Sequence, residues 1–193
     1  MAQFLYRFLL LNAVGAPLMT IYLMINHRAG LNHRLVEMPD WVPFWPLMAI
    51  PYLLMLIGPW FLAYFIKDQR IFYQYLVSVL LSFLVIGSMW YFHPTEMPRP
   101  LITESWQSHV YGRLIAIDNP VCIVPCGHVM TPIAIIFFLG MERPKWLFWM
   151  LPLLGIGLLS IITTWQHRPV DLLTGTIISL AAVLFTRGLF KQG

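Results

Sequence analysis

Six long apolar runs, separated by shorter polar or turn-forming segments, constrain this chain more than any other feature of its sequence. Most of them approach the roughly 20 residues that an α-helix needs to cross the hydrocarbon core of a bilayer. The runs cover approximately residues 4–25, 44–66, 71–92, 127–141, 146–164 and 169–188. We therefore predict an all-α integral membrane bundle of about six transmembrane helices, with residues 1–193 forming a single domain.

The composition favours a membrane protein over a soluble or nucleic-acid-binding one. Hydrophobic residues make up 59% of the chain and charged residues 10%, whereas roughly a quarter of the residues in a soluble domain are charged. The net charge is +4, but the basic residues form no run or helix face that would follow a phosphate backbone. We expect the lipid bilayer as a partner and no nucleic acid. No small-residue cleavage site follows the first run, which favours a retained span over a signal peptide.

Six spans would place both termini on the same side of the membrane. That side carries seven of the 12 Lys and Arg residues, so the positive-inside rule predicts that it is cytoplasmic. The six histidines all fall on the opposite side, at positions 27, 33, 93, 109, 128 and 167. We therefore expect any chemistry to face away from the cytoplasm. Together with the small size and the absence of N-linked glycosylation motifs, this indicates a bacterial inner membrane and a periplasmic site.

A polar segment from Gln166 to Asp171 separates the last two apolar runs. Ionisable residues in a membrane-embedded chain are rare and often mark a functional site. One helical turn of spacing would let Asp171 accept a hydrogen bond from one ring nitrogen of His167 and leave the other nitrogen as a nucleophile or base. The alternative is an aspartate that stabilises the first turn of a helix, beside a histidine at the membrane interface.

Two other segments on the same side suit an anionic ligand. Arg99 lies in a proline-rich turn, and its guanidinium offers a fork of donors that fits a phosphate. Gly127 lies before the fourth run, where it allows the backbone and the free N–H groups of a helix start to approach a ligand. The adjacent His128 can bind an oxygen or protonate a leaving group. The alternatives are a headgroup-contacting arginine and an ordinary interfacial turn.

In chain order, these three segments resemble the sequence blocks of the type 2 phosphatidic acid phosphatase superfamily. The blocks read Lys-x6-Arg-Pro, Pro-Ser-Gly-His and Ser-Arg-x5-His-x3-Asp. The chain has Arg99-Pro100 in the first block, with Phe92 in place of the lysine, and Cys126 replaces the serine of the second. The resemblance covers about residues 90 to 175.

The third block keeps Ser160, His167 and Asp171 at their spacing, with Ile161 in place of the arginine. The surrounding Thr-Trp-Gln-His and Asp-Leu-Leu-Thr-Gly sequences look like the inositol-phosphorylceramide-synthase-like branch. Members of that branch commonly lack the two extra basic residues.

The resemblance implies a role for each residue of the three blocks. His167 would be the nucleophile that takes up a phosphoryl group, Asp171 its orienting partner, and His128 the acid for the leaving alcohol. Arg99 and the backbone N–H of Gly127 would bind the phosphoryl oxygens.

Three further residues belong to the expected substrate-binding region. Cys126 occupies the serine position of the second block. Arg168 or Arg113 would substitute for the missing basic residues, although neither position belongs to the pattern of the superfamily. The resemblance implies no metal and no cofactor.

The function implied is a membrane lipid-phosphate phosphatase that hydrolyses a lipid or polyprenyl phosphate ester through a phosphohistidine, at the outer face of the membrane. One alternative is a phosphotransferase that moves a phospho-headgroup to an alcohol. Another is a non-catalytic lipid-binding protein with the same bundle. The oligomeric state is left open.

Two hypotheses concern the histidines and cysteines. A metal site could be built from His93, His109, His128 and His167, but the sequence has no His-x2-His or His-x3-His pair to form a compact ligand set. Cys122 and Cys126 could form a disulfide on the outer face, or pack as two small apolar residues.

Overall fold

The computed structural model describes residues 2–28, 33–100 and 106–191. Within these ranges the chain forms seven α-helices and one two-stranded sheet. The elements are α1 (Ala2–Asn26), β1 (Arg34–Leu35), α2 (Ala49–Leu62), α3 (Gln69–Phe92), β2 (Thr95–Glu96), α4 (Trp106–Ile117), α5 (Met130–Glu142), α6 (Leu147–Thr163) and α7 (Pro169–Lys191). Single turns of 3-10 helix at Pro46–Met48, Ala63–Phe65 and Pro144–Trp146 extend α2 at both ends and α6 at its start.

The predicted all-α membrane bundle is confirmed. Five helical stretches in the described part of the chain are long and apolar enough to cross a membrane. They are Phe4–Asn26, Pro46–Phe65, Gln69–Phe92, Pro144–Thr163 and Pro169–Phe190. The sixth apolar helix, α5, has only 13 residues, which gives a length of about 20 Å. It is therefore shorter than the hydrocarbon core of about 30 Å, and the fourth predicted span is not a full-length one.

Helix α4 was not predicted, because we expected residues 93 to 125 to form one long polar connection. Its sequence is short and only moderately apolar, so it does not have the pattern of a membrane span. Tyr111 and Leu114 lie one helical turn apart and are both buried. They pack in one cluster with Ala49 and Tyr52 of α2. Burial of this narrow apolar face is what holds α4 against the bundle.

The largest buried cluster surrounds α3, which packs against α1, α5 and α7. Phe72, Tyr75 and Val79 follow one another at helical spacing and are at most 1% exposed. They pack in the same cluster as Phe138 and Leu139 of α5. The inward face of α3 is thus continuous, and it fixes the position of the short helix α5 beneath the site described below.

The end of the bundle away from the histidines is held by polar contacts to one turn. The carboxylate of Glu142 accepts hydrogen bonds from the backbone N–H groups of Lys67 and Asp68, at 2.7 and 2.8 Å. Asp68 caps α3 by accepting from the N–H of Ile71 at 3.0 Å. Arg7 of α1 donates to the carbonyl of Lys67 at 2.9 Å. These contacts satisfy the N–H groups of Lys67, Asp68 and Ile71 and the carbonyl of Lys67.

At the opposite end, two extended segments hold the loop that precedes α5. Strands β1 and β2 pair in parallel, with Arg34 opposite Thr95. The Thr95 hydroxyl accepts hydrogen bonds from the N–H groups of Ile123 and Val124, both at 3.1 Å. The segment after α3 is thereby joined to the segment before α5, and both face the α6–α7 turn.

We predict that the contact between α2 and α6 requires glycine at position 157. A β-carbon there would lie 2.6 Å from Sδ and 2.9 Å from Cγ of Met55, whereas a β-carbon at Gly155 of the same helix would meet nothing within 4 Å. Gly157→Val should lower stability by about 1–3 kcal/mol through overpacking, and Gly155→Val should have little effect. Thermal unfolding of both variants in detergent tests this, and equal melting temperatures would contradict it.

Candidate functional site

The site lies where three segments, distant in sequence, meet at the histidine-bearing end of the bundle. They are residues 93–100 after α3, 118–129 between α4 and α5, and 164–168 between α6 and α7. A Schellman turn shapes the last of these, because the N–H of Gln166 bonds to the carbonyl of Ile161 and the N–H of Trp165 to that of Ile162, both at 3.0 Å. Trp165 occupies the left-handed position of this turn, with φ of 54°. The turn reverses the chain and directs His167 into the bundle.

Asp171 does not orient His167, so that prediction is wrong. Its carboxylate accepts hydrogen bonds from the backbone N–H of Arg168 at 2.9 Å and from the Arg168 guanidinium at 2.8 and 3.0 Å. Asp171 is the third residue of α7, and its bond to the N–H preceding the helix is half of a capping box. The alternative of a carboxylate that stabilises the first turn of a helix is what the structure shows. Arg168, expected to bind substrate, is thus committed to Asp171.

His167 is held by a backbone carbonyl and by the second histidine of the site. Its Nδ1 lies 2.7 Å from the carbonyl oxygen of Ile123, and its Nε2 lies 2.8 Å from Nδ1 of His128. Nε2 of His128 in turn lies 2.6 Å from the hydroxyl of Tyr52. The described residues therefore form a chain of hydrogen bonds from Tyr52 through both rings to Ile123.

The direction of this chain follows from its last acceptor. A carbonyl oxygen only accepts, so Nδ1 of His167 carries a proton and Nε2 of the neutral ring carries a lone pair. Nδ1 of His128 must then donate to that lone pair, and the Tyr52 hydroxyl donates to Nε2 of His128. With both rings neutral, every ring nitrogen in this series of hydrogen bonds has a partner.

Burial keeps both histidines neutral near pH 7. Removal from water lowers the pKa of His128 to about 4, and the nearby Asp118 only partly offsets this. Burial also lowers the pKa of His167 well below its ordinary value, and the neighbouring His128 lowers it further. The charged form of an imidazole is disfavoured where atoms of the protein replace most of the surrounding water.

Arg99 reaches the site through the residue before His167. Its guanidinium donates to Oε1 of Gln166 at 2.9 Å and to a carboxylate oxygen of Asp118 at 3.0 Å. Asp118 also accepts a short hydrogen bond from the Tyr22 hydroxyl of α1. Arg99 is therefore in the predicted place, but its charge is balanced by a carboxylate that the sequence reasoning did not consider.

The Cys126-Gly127 backbone docks directly on α7. The N–H of Cys126 donates to the carbonyl of Asp171 at 2.9 Å, and a β-carbon on Gly175 would lie 2.1 Å from the carbonyl oxygen of Cys126. Gly127 is equally constrained, since a β-carbon there would lie 2.4 Å from the indole of Trp90. These close approaches set the position of His128 relative to His167.

The two positions where the superfamily has additional basic residues lie in very different surroundings. Phe92 ends α3 and is 71% exposed, whereas Ile161 is fully buried. Ile161 packs in the cluster that contains Tyr52, Cys126 and Val129. An apolar residue at position 161 thus supports the wall of the site and supplies no charge to it.

A cavity of about 1020 Å³ opens beside His128 and extends between α1, α2, α3, α4 and α5. Most of its wall is apolar, with Trp60, Ile57 and Phe83 among the lining residues. Arg113 and Asp118 lie in the same wall as His128. The expected substitute cation Arg113 therefore faces this cavity, and the cavity combines a long apolar wall with a few ionisable groups.

Both cysteines of the chain are free thiols. Burial raises the pKa of Cys122 to about 12 and raises that of Cys126 as well. The Cys126 sulfur lies 3.7 Å from Nδ1 of His128. The disulfide is thus not formed, and one of the two thiols lies in contact with the histidine pair.

Tyr52, Asp118 and the carbonyl of Ile123 are the site groups that sequence reasoning missed. Tyr52 lies within an apolar run and Asp118 in a turn, and neither belongs to a motif. Comparison with protein-family models, curated proteins and solved structures found no match to this chain.

We predict that the buried histidines make the fold acid-sensitive. The pKa of His128 is about 4 in the folded chain against an ordinary 6.5, so the unfolded chain takes up the proton first as pH falls. Stability is then full above about pH 6.5 and decreases as the pH drops towards 4. Between pH 7 and 5 the melting temperature should fall by roughly 5 °C.

His128→Asn should flatten this dependence, because it removes one of the groups that titrate. The matched control is His27→Asn, since His27 is exposed at the end of α1 and should leave the slope unchanged. Melting temperatures recorded across the pH range in detergent test this. The same slope in all three proteins would reject the role of His128.

Proposed function

We propose that this chain is a membrane lipid-phosphate phosphatase in which Nε2 of His167 is the nucleophile. The observation that carries the proposal is the 2.8 Å contact between His128 and His167, with Arg99 bound to the adjacent Gln166. The arginine and the two histidines come from three separate segments and are the residues that the superfamily resemblance selects. Three residues without a shared role would not be expected to meet in this way.

The bond from Nδ1 of His167 to the carbonyl of Ile123 supports the choice of nucleophile. It fixes the tautomer that leaves a lone pair on Nε2. Because this lone pair accepts from His128 in the present structure, a phosphoryl group must open the 2.8 Å contact when it binds. The two nitrogens then lie on either side of the phosphorus.

The first chemical step transfers the phosphoryl group to His167. The Nε2 lone pair forms a bond to phosphorus while the bond from phosphorus to the lipid oxygen breaks. The phosphate binds together with one proton from solvent, which goes to His128 because the negative charge of the phosphate favours the imidazolium. The resulting imidazolium gives a proton to the departing oxygen and returns to its neutral form.

In the second step, a water molecule gives a proton to His128 while the water oxygen attacks phosphorus. The bond between phosphorus and Nε2 breaks, which releases phosphate and restores His167. Arg99 supplies positive charge to the phosphoryl oxygens, which carry the spread negative charge of the transition state. All groups needed for these steps are side chains of the chain itself.

The cavity beside His128 supports a lipid substrate. Its volume of about 1020 Å³ is at the upper end of the roughly 300–1,000 Å³ of ligand pockets. An apolar wall that ends at a histidine suits a long apolar tail with a phosphate at one end, as in a polyprenyl phosphate or a phosphatidic acid. We propose that this site faces away from the cytoplasm, on the distribution of basic residues, and that the membrane is a bacterial inner membrane, on the small size and the absence of N-linked glycosylation motifs.

One observation favours a second candidate, a lipid-binding protein without turnover. Arg99 is paired with Asp118 and Arg168 with Asp171, so both positive charges are already balanced within the site. A phosphotransferase would use the same phosphohistidine with an alcohol in place of water. The products of the reaction distinguish these possibilities.

We predict that purified protein releases phosphate from polyprenyl monophosphate or phosphatidic acid in mixed micelles. His167→Ala should reduce the rate by at least about a thousandfold, because no other group replaces a covalent nucleophile. His27→Ala, at an exposed histidine, should retain full activity. Labelled phosphate should be trapped on the wild-type protein in an acid-labile form and not on His167→Ala.

Equal phosphate release by wild type and His167→Ala would reject the nucleophile. Lipid binding by the wild type without phosphate release would reject catalysis and favour the binding protein. Transfer of the label to an added alcohol in preference to water would favour the phosphotransferase.

A further inference from the structure

Three donor atoms from two loops meet at the centre of the site. The thiol of Cys126 and one ring nitrogen each of His128 and His167 all lie within 4.8 Å of one another. The histidine-only metal site weighed from the sequence did not include a thiol, because Cys126 follows no metal-binding spacing. It is the fold that joins this cysteine to the two histidines.

We propose that Cys126, His128 and His167 bind a borderline-soft divalent metal ion such as Zn²⁺. The occupied site also blocks phosphoryl transfer, a consequence that rests on the proposed function of His167. The ion and a phosphoryl group compete for the same lone pair on Nε2.

Two of the three donor separations are close to those around a coordinated ion, and all three are within 4.8 Å. Zn²⁺ bound at about 2.0 Å to nitrogen and 2.3 Å to sulfur in tetrahedral geometry would hold its donors about 3.3 to 3.6 Å apart. The Cys126 sulfur already lies 3.7 Å from Nδ1 of His128. The two nitrogens, at 2.8 Å, must separate by about half an ångström, which the loss of the proton between them permits.

The groups that hydrogen-bond to the two histidines are of the kind that usually orient metal-binding histidines. A ligating histidine usually donates its other N–H to a carbonyl or a polar side chain, which fixes the ring and its tautomer. His167 makes such a bond to the carbonyl of Ile123. His128 has the Tyr52 hydroxyl at 2.6 Å, which can accept from Nε2 once Nδ1 binds the ion.

Metal binding also changes where protons are held in the site. The Cys126 thiol must lose its proton to become a ligand, and the buried environment disfavours a thiolate without a nearby cation. The proton on Nδ1 of His128 is replaced by one on Nε2, so that this ring remains neutral. Binding therefore releases one proton per ion, from Cys126.

The ligand types select the class of ion. A thiolate with two imidazoles suits Zn²⁺ and other borderline or soft ions, whereas Mg²⁺ and Ca²⁺ prefer oxygen ligands. Three protein ligands leave a fourth position for water. His128 lines the large cavity, so an ion reaches the site from that side, while Cys126 is fully buried behind it.

The test uses full-length protein freed of metal with a chelator and titrated with Co²⁺, which reports on thiolate ligation through its charge-transfer absorption. The wild type should bind one ion per chain, with the intense visible bands of tetrahedral Co²⁺, and Zn²⁺ should displace it. Cys126→Ser should lose the thiolate band and bind at least about a hundredfold more weakly. Cys122→Ser is the matched control, because Cys122 is also buried but lies outside the donor cluster, and it should retain the band.

X-ray absorption at the zinc edge of the wild type provides a measurement that does not depend on a variant folding. One sulfur and two imidazole nitrogens are expected in the first shell. A shell without sulfur, a thiolate band that persists in Cys126→Ser, or the absence of any saturable band in the wild type would overturn the metal site.

Activity separates the metal site from the proposed function. In an active wild type, Zn²⁺ should suppress phosphate release and a chelator should restore it, while Cys122→Ser should respond in the same way. Full activity with Zn²⁺ bound would overturn the competition. If the protein binds the ion through these three ligands but never releases phosphate, the phosphatase is rejected and the metal site is retained.

Discussion

A backbone hydrogen bond between the loop before α5 and the first turn of α7 determines the geometry of the whole site. The N–H of Cys126 donates to the carbonyl of Asp171 in the first turn of α7. The carbonyl of Cys126 lies so close to Gly175 that no side chain fits between them. Because both contacts involve main-chain atoms of Cys126, they hold the segment before α5 against α7 without using the Cys126 side chain. The separation of the two histidines is set by this docking.

The hydrogen-bond chain from Tyr52 to Ile123 explains why the site is closed in the present structure. Each ring is neutral and fully satisfied, and the Nε2 lone pair of His167, the proposed nucleophile, accepts from His128. A ligand must therefore supply enough interaction energy to replace a buried hydrogen bond, which is costly to leave unmade. On the proposals above, a phosphate would do so through its charge and a metal ion through coordination, and the two would compete for the same lone pair.

The sequence predicted the bundle and most of the residues that converge, because apolar runs and helix-start signals are local properties. The partner of Asp171 could not be predicted in the same way. At the start of a helix, a carboxylate one turn from a histidine can equally turn back to the free N–H groups, and here Arg168 provides a second reason to do so. Helix α4 was missed because its short apolar face is stabilised by tertiary packing against the start of α2 and its neighbours.

The roles of Tyr52, Asp118 and Cys126 depend on contacts between residues far apart in the chain, so no local pattern reveals them. Tyr52 and His128 are 76 positions apart. Burial then decides the charge of the site, since the same histidines at a surface would titrate near their ordinary pKa. Sequence reasoning thus identified the chemical groups, and the tertiary structure determined which of their atoms are free.

The pairing of Arg99 with Asp118 connects the site to the outer end of α1. Asp118 is shared between Arg99 and the hydroxyl of Tyr22, and the adjacent Asn119 exchanges hydrogen bonds with Asn26. A phosphate that attracts Arg99 must compete with Asp118, whose remaining partner is then on α1. Since Tyr22 also lines the large cavity, Asp118 connects Arg99 to the cavity wall, and the proposed phosphate and lipid-tail sites would be coupled through this one carboxylate.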